Sequence, residues 1–180
     1  MFDYGKHILL KKRKNPENDL LSAIANAKIE GKELTQEFLD GSWLLIVFAG
    51  NDTTRNTMSG GIKLLHDNQD QKELLVNNPD YLPNFINETI RCVSPVIHMR
   101  RTSLEETEIN GQRIGPYEKI ALWYGAANRD PEIFEDPDRF NILRENADKH
   151  LAFGIGRHTC LGKPVAVSYT HLTLPTISCV

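Results

Sequence analysis

The sequence predicts a mainly α-helical fold that carries a small β-sheet, and three observations support this fold class. Apolar residues recur at helical spacing from Thr35 to about Leu65. A second helical pattern opens at Pro83, because proline is favoured at the first positions of a helix. After Ser94-Pro95 the pattern changes to short alternating runs, which are typical of strands.

The N-terminal segment is predicted to hold two short helices. Met1 to Lys14 resembles the end of a helix with a basic tail. A second helix is expected from Asp19 to about Glu30, where the following Gly31 breaks the pattern. We interpret the basic tail as a solvated helix end, and a binding patch is the alternative.

The long segment that follows contains the least ordinary part of the helical pattern. Thr35 is a candidate N-cap, and thirty helical residues would extend about 45 Å. Inside this segment, Gly50 weakens a helix, and the acid Asp52 followed by the Thr53 hydroxyl is unusual to bury. Such departures are expected at functional sites. The alternative is a packing glycine with polar residues that face solvent.

Shorter elements are predicted in the rest of the chain. Glu88 and Arg91 stand three apart in the helix that Pro83 opens, so they share one face. Taken alone, such a pair is usually a surface ion pair that contributes little. Asn110-Gly111 is a strong hairpin turn. The remaining expected elements are a helix at 68–77, strands at 96–102, 107–109 and 119–123, a helix at 124–128 and a proline-rich segment to 140.

A glycine-rich loop from Phe153 to Gly162 ends with Cys160 close to a possible helix start. The helix dipole and free N–H groups favour a thiolate there, and glycine amides can donate hydrogen bonds to the sulfur. Such a thiolate is suited to ligating a heme iron. One alternative is a buried structural cysteine. Another is a zinc site with His158, for which no second ligand pair stands at the usual spacing.

This loop resembles the heme-binding loop of the cytochrome P450 family in its bacterial form. The matching positions are Phe153, Gly154, Gly156, His158, Cys160 and Gly162. The resemblance extends over about residues 17–166 and implies the C-terminal half of the fold, with the N-terminal half absent. It also implies heme b as the cofactor, with Cys160 as the ligand of its iron.

The resemblance assigns roles to the long helix. Ala49 and Gly50 are expected to leave room over the heme face. A local widening of the helix there would let Asp52 and Thr53 serve as a proton relay to dioxygen.

The resemblance also assigns a scaffold and further contacts. Glu88 and Arg91 belong to the family's Glu-x-x-Arg motif, and their expected third partner in a buried ionic network is Arg139. Arg101 and His158 are expected to donate to the heme propionates, and the alternative for Arg101 is a charge on a sheet face. The expected substrate pocket is lined by Val96, Ile97 and His98. For His98 the alternative is a hydrogen-bonded core histidine.

The tail departs from the family pattern after Ala166. Threonines and a proline make residues 167–180 a poor helix, so we expect this tail to be foreign to the gene. His171 and Cys179 would then have no role.

Composition limits the class of protein. The chain has 180 residues, 40% of them hydrophobic, and a net charge of -3, so nothing indicates nucleic-acid binding. The longest apolar run, 43–49, is too short to span a membrane. Three cysteines give no disulfide framework, and no signal peptide is visible after Met1. We expect a cytoplasmic protein.

The expected function is that of a heme-thiolate monooxygenase. It would insert one atom of dioxygen into a C–H bond of a hydrophobic small molecule, such as an alkane, terpene or steroid. Electrons would come from a ferredoxin-type donor, which Arg157 and Lys163 could meet unless they are ordinary solvated charges. The alternative is a truncated heme-binding or sensor module without turnover. In either case we expect this piece alone to be inactive.

Overall fold

The computed structural model describes residues 1–177, with backbone only at 172 and 174–177, so Cys179 lies outside the described residues. The chain divides into two compact units, Met1–Asp52 and the part that begins at Thr53. The α-helices are α1 (Phe2–Lys14), α2 (Leu20–Asn26), α3 (Gln36–Asp67), α4 (Gln69–Asn77), α5 (Leu82–Val93), α6 (Tyr124–Ala127) and α7 (Lys163–Ile177). The strands are β1 (Lys28–Ile29), β2 (Lys32–Glu33), β3 (His98–Thr102), β4 (Thr107–Ile109), β5 (Gln112–Ile114) and β6 (Lys119–Trp123).

Helix α2 is shorter than the sequence pattern suggests. It begins as expected after Asp19, whose Oδ1 accepts a hydrogen bond of 2.7 Å from the backbone N–H of Ser22. It ends at Asn26, so the expected extension to Glu30 is wrong. Glu30 and Gly31 both adopt positive φ angles, 51° and 78°, and close the β1–β2 hairpin instead.

The first unit has a small apolar core of its own, which contains Leu9, Ala25, Leu39 and Trp43. Gly5 of α1 lies against the indole, because a Cβ there would be 2.4 Å from Trp43 Cδ1. The basic tail of α1 makes contacts inside this unit. Lys12 forms an ion pair of 2.8 Å with Glu17, and Arg13 Nε donates to the Ala25 carbonyl at 2.9 Å.

Helix α3 is continuous from Gln36 to Asp67, close to the predicted bounds. Its N-cap is Thr35, whose Oγ1 accepts from the backbone N–H of Phe38 at 3.3 Å. The helix is α-helical through 49–54, so the local widening expected there is absent. Further along, a Cβ on Gly60 would lie 2.5 Å from Val93 Cγ2, which brings α3 and α5 close together.

The strands form separate two-stranded antiparallel pairs rather than one small sheet. β3 pairs with β6 from His98 opposite Trp123 to Thr102 opposite Lys119. β4 pairs with β5 across the predicted Asn110-Gly111 turn. Both turn residues have positive φ angles, 49° and 78°, as a tight hairpin requires.

Helix α7 contradicts the prediction that the tail is a poor helix, because it runs to Ile177. Val167 packs against the core of the second unit. The Thr170 side chain is buried, and its hydroxyl donates to the Ala166 carbonyl at 2.8 Å. Packing of this kind outweighs weak intrinsic helix propensity. That the tail is foreign to the gene stays a prediction.

The core of the second unit is built around α5. Its main cluster of buried apolar residues contains Leu65, Leu75, Phe85, Ile86, Ile90, Phe140, Ile142 and Ala152. Within residues 1–177 we find no helix that combines the length and the apolar character needed to cross a membrane.

A buried ionic network lies on the polar side of α5. Arg91 donates to both carboxylate oxygens of Glu88, at 2.7 and 2.8 Å, and neither side chain is accessible to solvent. The surface ion pair considered as the alternative is therefore wrong. The third partner is Arg144, whose Nε donates to Glu88 Oε1 at 3.1 Å. The expectation of Arg139 is wrong, since Arg139 contributes its backbone carbonyl and its side chain is exposed.

The network also holds the irregular segment between α6 and the glycine-rich loop. Arg91 Nη1 donates to the carbonyls of Asn128 and Pro137, both at 2.7 Å. Arg144 donates to the carbonyls of Glu135 and Asp136, at 2.6 and 3.1 Å. These bonds satisfy both guanidinium groups, so the segment is tied to α5 by charge-assisted hydrogen bonds.

His150 lies directly before the glycine-rich loop and is buried, with 8% of its surface exposed. Its Nδ1 accepts from the backbone N–H of Ala152 at 3.3 Å, and its ring centroid is 5.6 Å from that of Phe153. Burial, with a smaller contribution from the Lys163 charge, lowers the pKa of His150 from 6.5 to about 4. The imidazole is therefore neutral in the folded chain at pH 7.

We predict that Arg144→Met lowers the free energy of unfolding by about 3 kcal/mol, because it removes one partner of a buried charge. Arg139→Met is the matched control and should cost less than about 0.5 kcal/mol, since that side chain is exposed. Urea denaturation followed by circular dichroism measures both. Equal losses would contradict the assignment of Arg144.

We also predict a pH dependence of stability that arises from His150. Between pH 6.5 and about 4 the unfolded chain binds a proton at His150 that the folded chain does not. The free energy of unfolding therefore falls as the pH decreases through this window, by at most about 1.4 kcal/mol per pH unit. His150→Gln, which keeps an acceptor but does not titrate, should flatten the slope. Urea titrations at several pH values compare the two chains, and identical slopes would rule out this contribution.

Candidate heme-binding site

The glycine-rich loop is closed by its own backbone. The Cys160 N–H donates to the Phe153 carbonyl at 2.8 Å, so the first and eighth residues of the loop meet. Between them Gly156–His158 form one turn of 3-10 helix, and the Thr159 N–H returns to the Gly156 carbonyl at 3.1 Å. The loop therefore presents Cys160 from a tight frame.

Two of the loop glycines are needed for their backbone angles. Gly154 and Gly156 have φ angles of 68° and 75°, a backbone region that residues with a Cβ rarely adopt. At Gly154 space is also limited, because a Cβ would lie 3.2 Å from the Tyr124 hydroxyl. At Gly162 a Cβ would lie 3.9 Å from Cys160 Sγ, an ordinary contact.

Cys160 is exposed and stands just before α7. The Lys163 N–H donates to the Cys160 carbonyl at 3.3 Å, so the thiol lies at the entrance of the helix. The alternative of a buried structural cysteine is wrong. The zinc alternative gains no support, because the described residues contain no group of three or more His, Cys, Asp or Glu able to hold a metal. By contrast, burial raises the pKa of the Cys92 thiol to about 11.

The surroundings of Cys160 suit a flat apolar group. Ile155, Leu161 and Val165 flank the thiol in sequence, and between 73% and 78% of their surfaces are exposed. Large apolar side chains exposed together typically mark a binding surface. An accessible cysteine supplies the one protein donor that a thiolate-ligated heme requires, and exposed apolar side chains stand near it in sequence.

The expected pocket residues connect to the loop through α6. The Gly125 N–H donates to the Ile97 carbonyl at 3.2 Å, and the adjacent Tyr124 reaches Gly154. Val96 is half-buried, and Ile97 is 61% exposed. His98 is exposed and stacks on Trp123 with a centroid distance of 4.8 Å. The alternative of a core histidine at position 98 is therefore wrong.

The two expected propionate donors lie in different elements. Arg101 is half-buried in β3, and its Nη1 donates to the Arg100 carbonyl at 3.0 Å. His158 is exposed at the end of the 3-10 turn of the loop. Both can donate to a carboxylate, which is the chemistry expected of them.

The residues expected to face bound dioxygen lie within one stretch of α3. Ala49, Gly50 and Asp52 are exposed, and Thr53 is half-buried. A Cβ on Gly50 would have no described atom within 4 Å, so no neighbour in the described chain requires a glycine there. The Thr57 hydroxyl donates to the Thr53 carbonyl at 2.9 Å.

Sequence reasoning missed several residues that shape this site. Asn128 is fully buried, Tyr124 packs against Gly154, and His150 lies under the loop. Arg144 was missed because several arginines follow α6 and spacing does not distinguish them. For Asn128 the available signal was a polar residue at the end of a short helical pattern, which is too common to single it out.

The chain matches known proteins over nearly its whole length. The sequence profile of the family described as Cytochrome P450 matches residues 5–177. Linalool 8-monooxygenase of Pseudomonas putida is 41% identical over 163 residues, which are 91% of this chain and 40% of that protein. Steroid C26-monooxygenase of Mycolicibacterium smegmatis is 40% identical over 164 residues, 91% of this chain and 41% of that protein.

Solved structures agree with these matches. The structure of cytochrome P450-153 from Novosphingobium aromaticivorans superposes with a TM-score of 0.90 and 37% identity. It covers 99% of this chain, which in turn covers 44% of that structure. The chain thus spans less than half the length of these relatives. With the expected fold class confirmed, the chain belongs to the cytochrome P450 family.

Proposed function

We propose that this chain is the heme-ligating part of a monooxygenase that hydroxylates a hydrophobic small molecule. The observation that carries the proposal is the exposed thiol of Cys160, a residue whose backbone N–H donates to the Phe153 carbonyl just before α7. The cofactor of the family is heme with a cysteine thiolate on its iron. The relatives named as linalool and steroid monooxygenases support the reaction class.

Cys160 would supply the thiolate, and its neighbours would hold the cofactor in place. A thiolate-ligated heme supplies the electron density that favours cleavage of the O–O bond. Cys160 stands just before α7, where the helix dipole would favour an anionic ligand once the cofactor is bound. Arg101 and His158 would donate to the propionates, and the glycines at 154, 156 and 162 would keep bulk away from the heme face.

The residues of α3 would act on the oxygen side. Ala49 and Gly50 would leave room above the cofactor because neither carries more than a methyl group. The Thr53 hydroxyl would donate a proton toward dioxygen and recover one from Asp52, whose exposed carboxylate can exchange protons with solvent.

The substrate and the electron donor follow from the surroundings of the site and from the relatives. Val96, Ile97 and His98 would line the pocket, which favours an apolar substrate such as a terpene, an alkane or a steroid. Arg157 and Lys163 flank Cys160 in sequence and would meet an acidic electron donor of the ferredoxin type.

The alternative function is a heme-binding or sensor module without turnover. Cys160, His158 and Arg101 would keep their binding roles, whereas Asp52 and Thr53 would have none.

We predict that the protein containing this sequence, loaded with heme, reduced and exposed to carbon monoxide, shows a Soret band displaced far to the red. Cys160→Ser should abolish the displacement, because a hydroxyl replaces the thiolate. Cys92→Ser is the matched control and should keep it, since the Cys92 thiol is the one whose pKa burial raises. Absence of the band in the full-length protein would contradict heme-thiolate chemistry.

We predict that Thr53→Ala lowers the yield of product per electron about 10-fold, while the red-displaced band is retained. Thr54→Ala removes the same atoms from the next helical position and should leave the yield unchanged. Product and electron consumption are measured together. An unchanged yield in Thr53→Ala would remove Thr53 from the relay, and retained heme binding with no product in the unsubstituted protein would favour the non-catalytic alternative.

A further inference from the structure

Asn128 is a fully buried amide whose polar atoms are all engaged. Its Nδ2 donates to Ser94 Oγ at 2.8 Å, and its Oδ1 accepts from the Leu151 N–H at 2.6 Å. Its backbone carbonyl accepts from Arg91 Nη1 at 2.7 Å. One residue thus joins the end of α5, the buried ionic network and the segment that enters the cysteine loop.

The orientation of this amide is determined by its partners. The Ser94 hydroxyl donates its only proton to the Arg91 carbonyl at 2.8 Å, so its oxygen is left to accept from Nδ2. The Leu151 N–H can only donate, so it requires the amide oxygen. Asn is therefore suited to this position, because it offers a donor on one side and an acceptor on the other.

A short series of hydrogen bonds leads from Asn128 to the thiol. The Leu151 carbonyl accepts from the Gly154 N–H at 2.8 Å, which shapes the turn at Phe153. The Phe153 carbonyl then accepts from the Cys160 N–H at 2.8 Å. In this series the residue that is held by one hydrogen bond lies next to, or supplies, the carbonyl that accepts the following one. A displacement of Leu151 would therefore reach the backbone of Cys160.

From this geometry we propose that Asn128 is a positioning residue for Cys160. It holds Leu151 against the Glu88–Arg91–Arg144 network and thereby sets the orientation of the loop that presents the sulfur. The inference rests on the proposed function where it concerns heme, whereas its effect on the loop backbone can be measured without heme. A purely structural residue would stabilise the fold without a selective effect on Cys160.

The test is residue-resolved amide hydrogen exchange on the full chain, followed by NMR. Asn128→Val keeps a buried apolar side chain but removes the acceptor of Leu151. We expect the Leu151, Gly154 and Cys160 amides to exchange about 10-fold faster than in the unsubstituted chain. An effect limited to Leu151, with Cys160 within about 2-fold of the unsubstituted chain, would overturn the proposal.

Two matched variants distinguish a positioning role of Asn128 from a contribution to the stability of the fold alone. Ser94→Ala removes the other partner of the same amide, so it costs a buried hydrogen bond without touching Leu151. Asn128→Asp keeps an oxygen for the Leu151 N–H and loses the donor. Both should keep the Cys160 amide within about 2-fold of its original exchange rate, even where global stability falls. Loss of protection at Cys160 in Ser94→Ala would show a general effect and overturn the proposal.

If Asn128→Val does not fold, the unsubstituted chain decides the question through exchange in increasing urea. The proposal requires the Asn128, Leu151 and Cys160 amides to open together with the same urea dependence. Opening of Cys160 at lower urea, independently of the other two, would overturn it.

The spectrum of the heme-loaded, reduced, carbon monoxide-treated protein supplies a second readout. In Asn128→Val we expect the red-displaced band to lose at least half its intensity, with Ser94→Ala unchanged. If the unsubstituted protein lacks the band, the proposed function fails. If the unsubstituted protein shows the band and Asn128→Val shows it at equal intensity, this inference fails and the proposed function stands.

Discussion

The second unit depends on one buried carboxylate, Glu88, which is shared by two arginines. A buried charge is stable only when it is paired and its hydrogen bonds are complete, and here Arg91 and Arg144 meet both conditions. Their remaining N–H groups donate to backbone carbonyls of the segment between α6 and the glycine-rich loop. This largely irregular segment is thereby held in one conformation, because its carbonyls accept hydrogen bonds from two buried charges.

This arrangement explains how a loop with several glycines can present a reactive group reproducibly. Glycine allows the turns at 154 and 156, but it also gives the unfolded loop many other conformations. Order therefore has to come from outside the loop, where Asn128 Oδ1 accepts from the Leu151 N–H on one side and α7 begins on the other. Tyr124 adds a steric limit at Gly154. The Cys160 thiol is exposed, whereas the loop backbone is hydrogen-bonded at Leu151 before the loop and at Lys163 after it.

Local patterns predicted what depends on near neighbours. The Thr35 and Asp19 caps, the Asn110-Gly111 hairpin and the Glu88–Arg91 pair all follow from spacings of a few residues. The wrong predictions concern features that depend on contacts between residues far apart in the sequence. Arg144 meets Glu88 across 56 positions, and Arg139 stood closer to a recognisable proline-rich pattern. The tail is helical against its propensity because Val167 and Thr170 are packed. For the candidate site, the loop residues were predicted from a motif, whereas Asn128 and His150 are distinguished by their burial, which spacing does not report.

The close approach at Gly60 has a consequence for how this family member can vary. A Cβ on Gly60 would lie only 2.5 Å from Val93 Cγ2, so the backbone of α3 lies directly against a side chain of α5. Val93 directly precedes Ser94, the left-handed residue that ends α5 and binds Asn128. A bulkier residue at 60 would therefore press on Val93 and on the end of α5, the helix that carries the buried Glu88–Arg91 pair. A helical position far from the glycine-rich loop in sequence is thereby restricted to the smallest side chain.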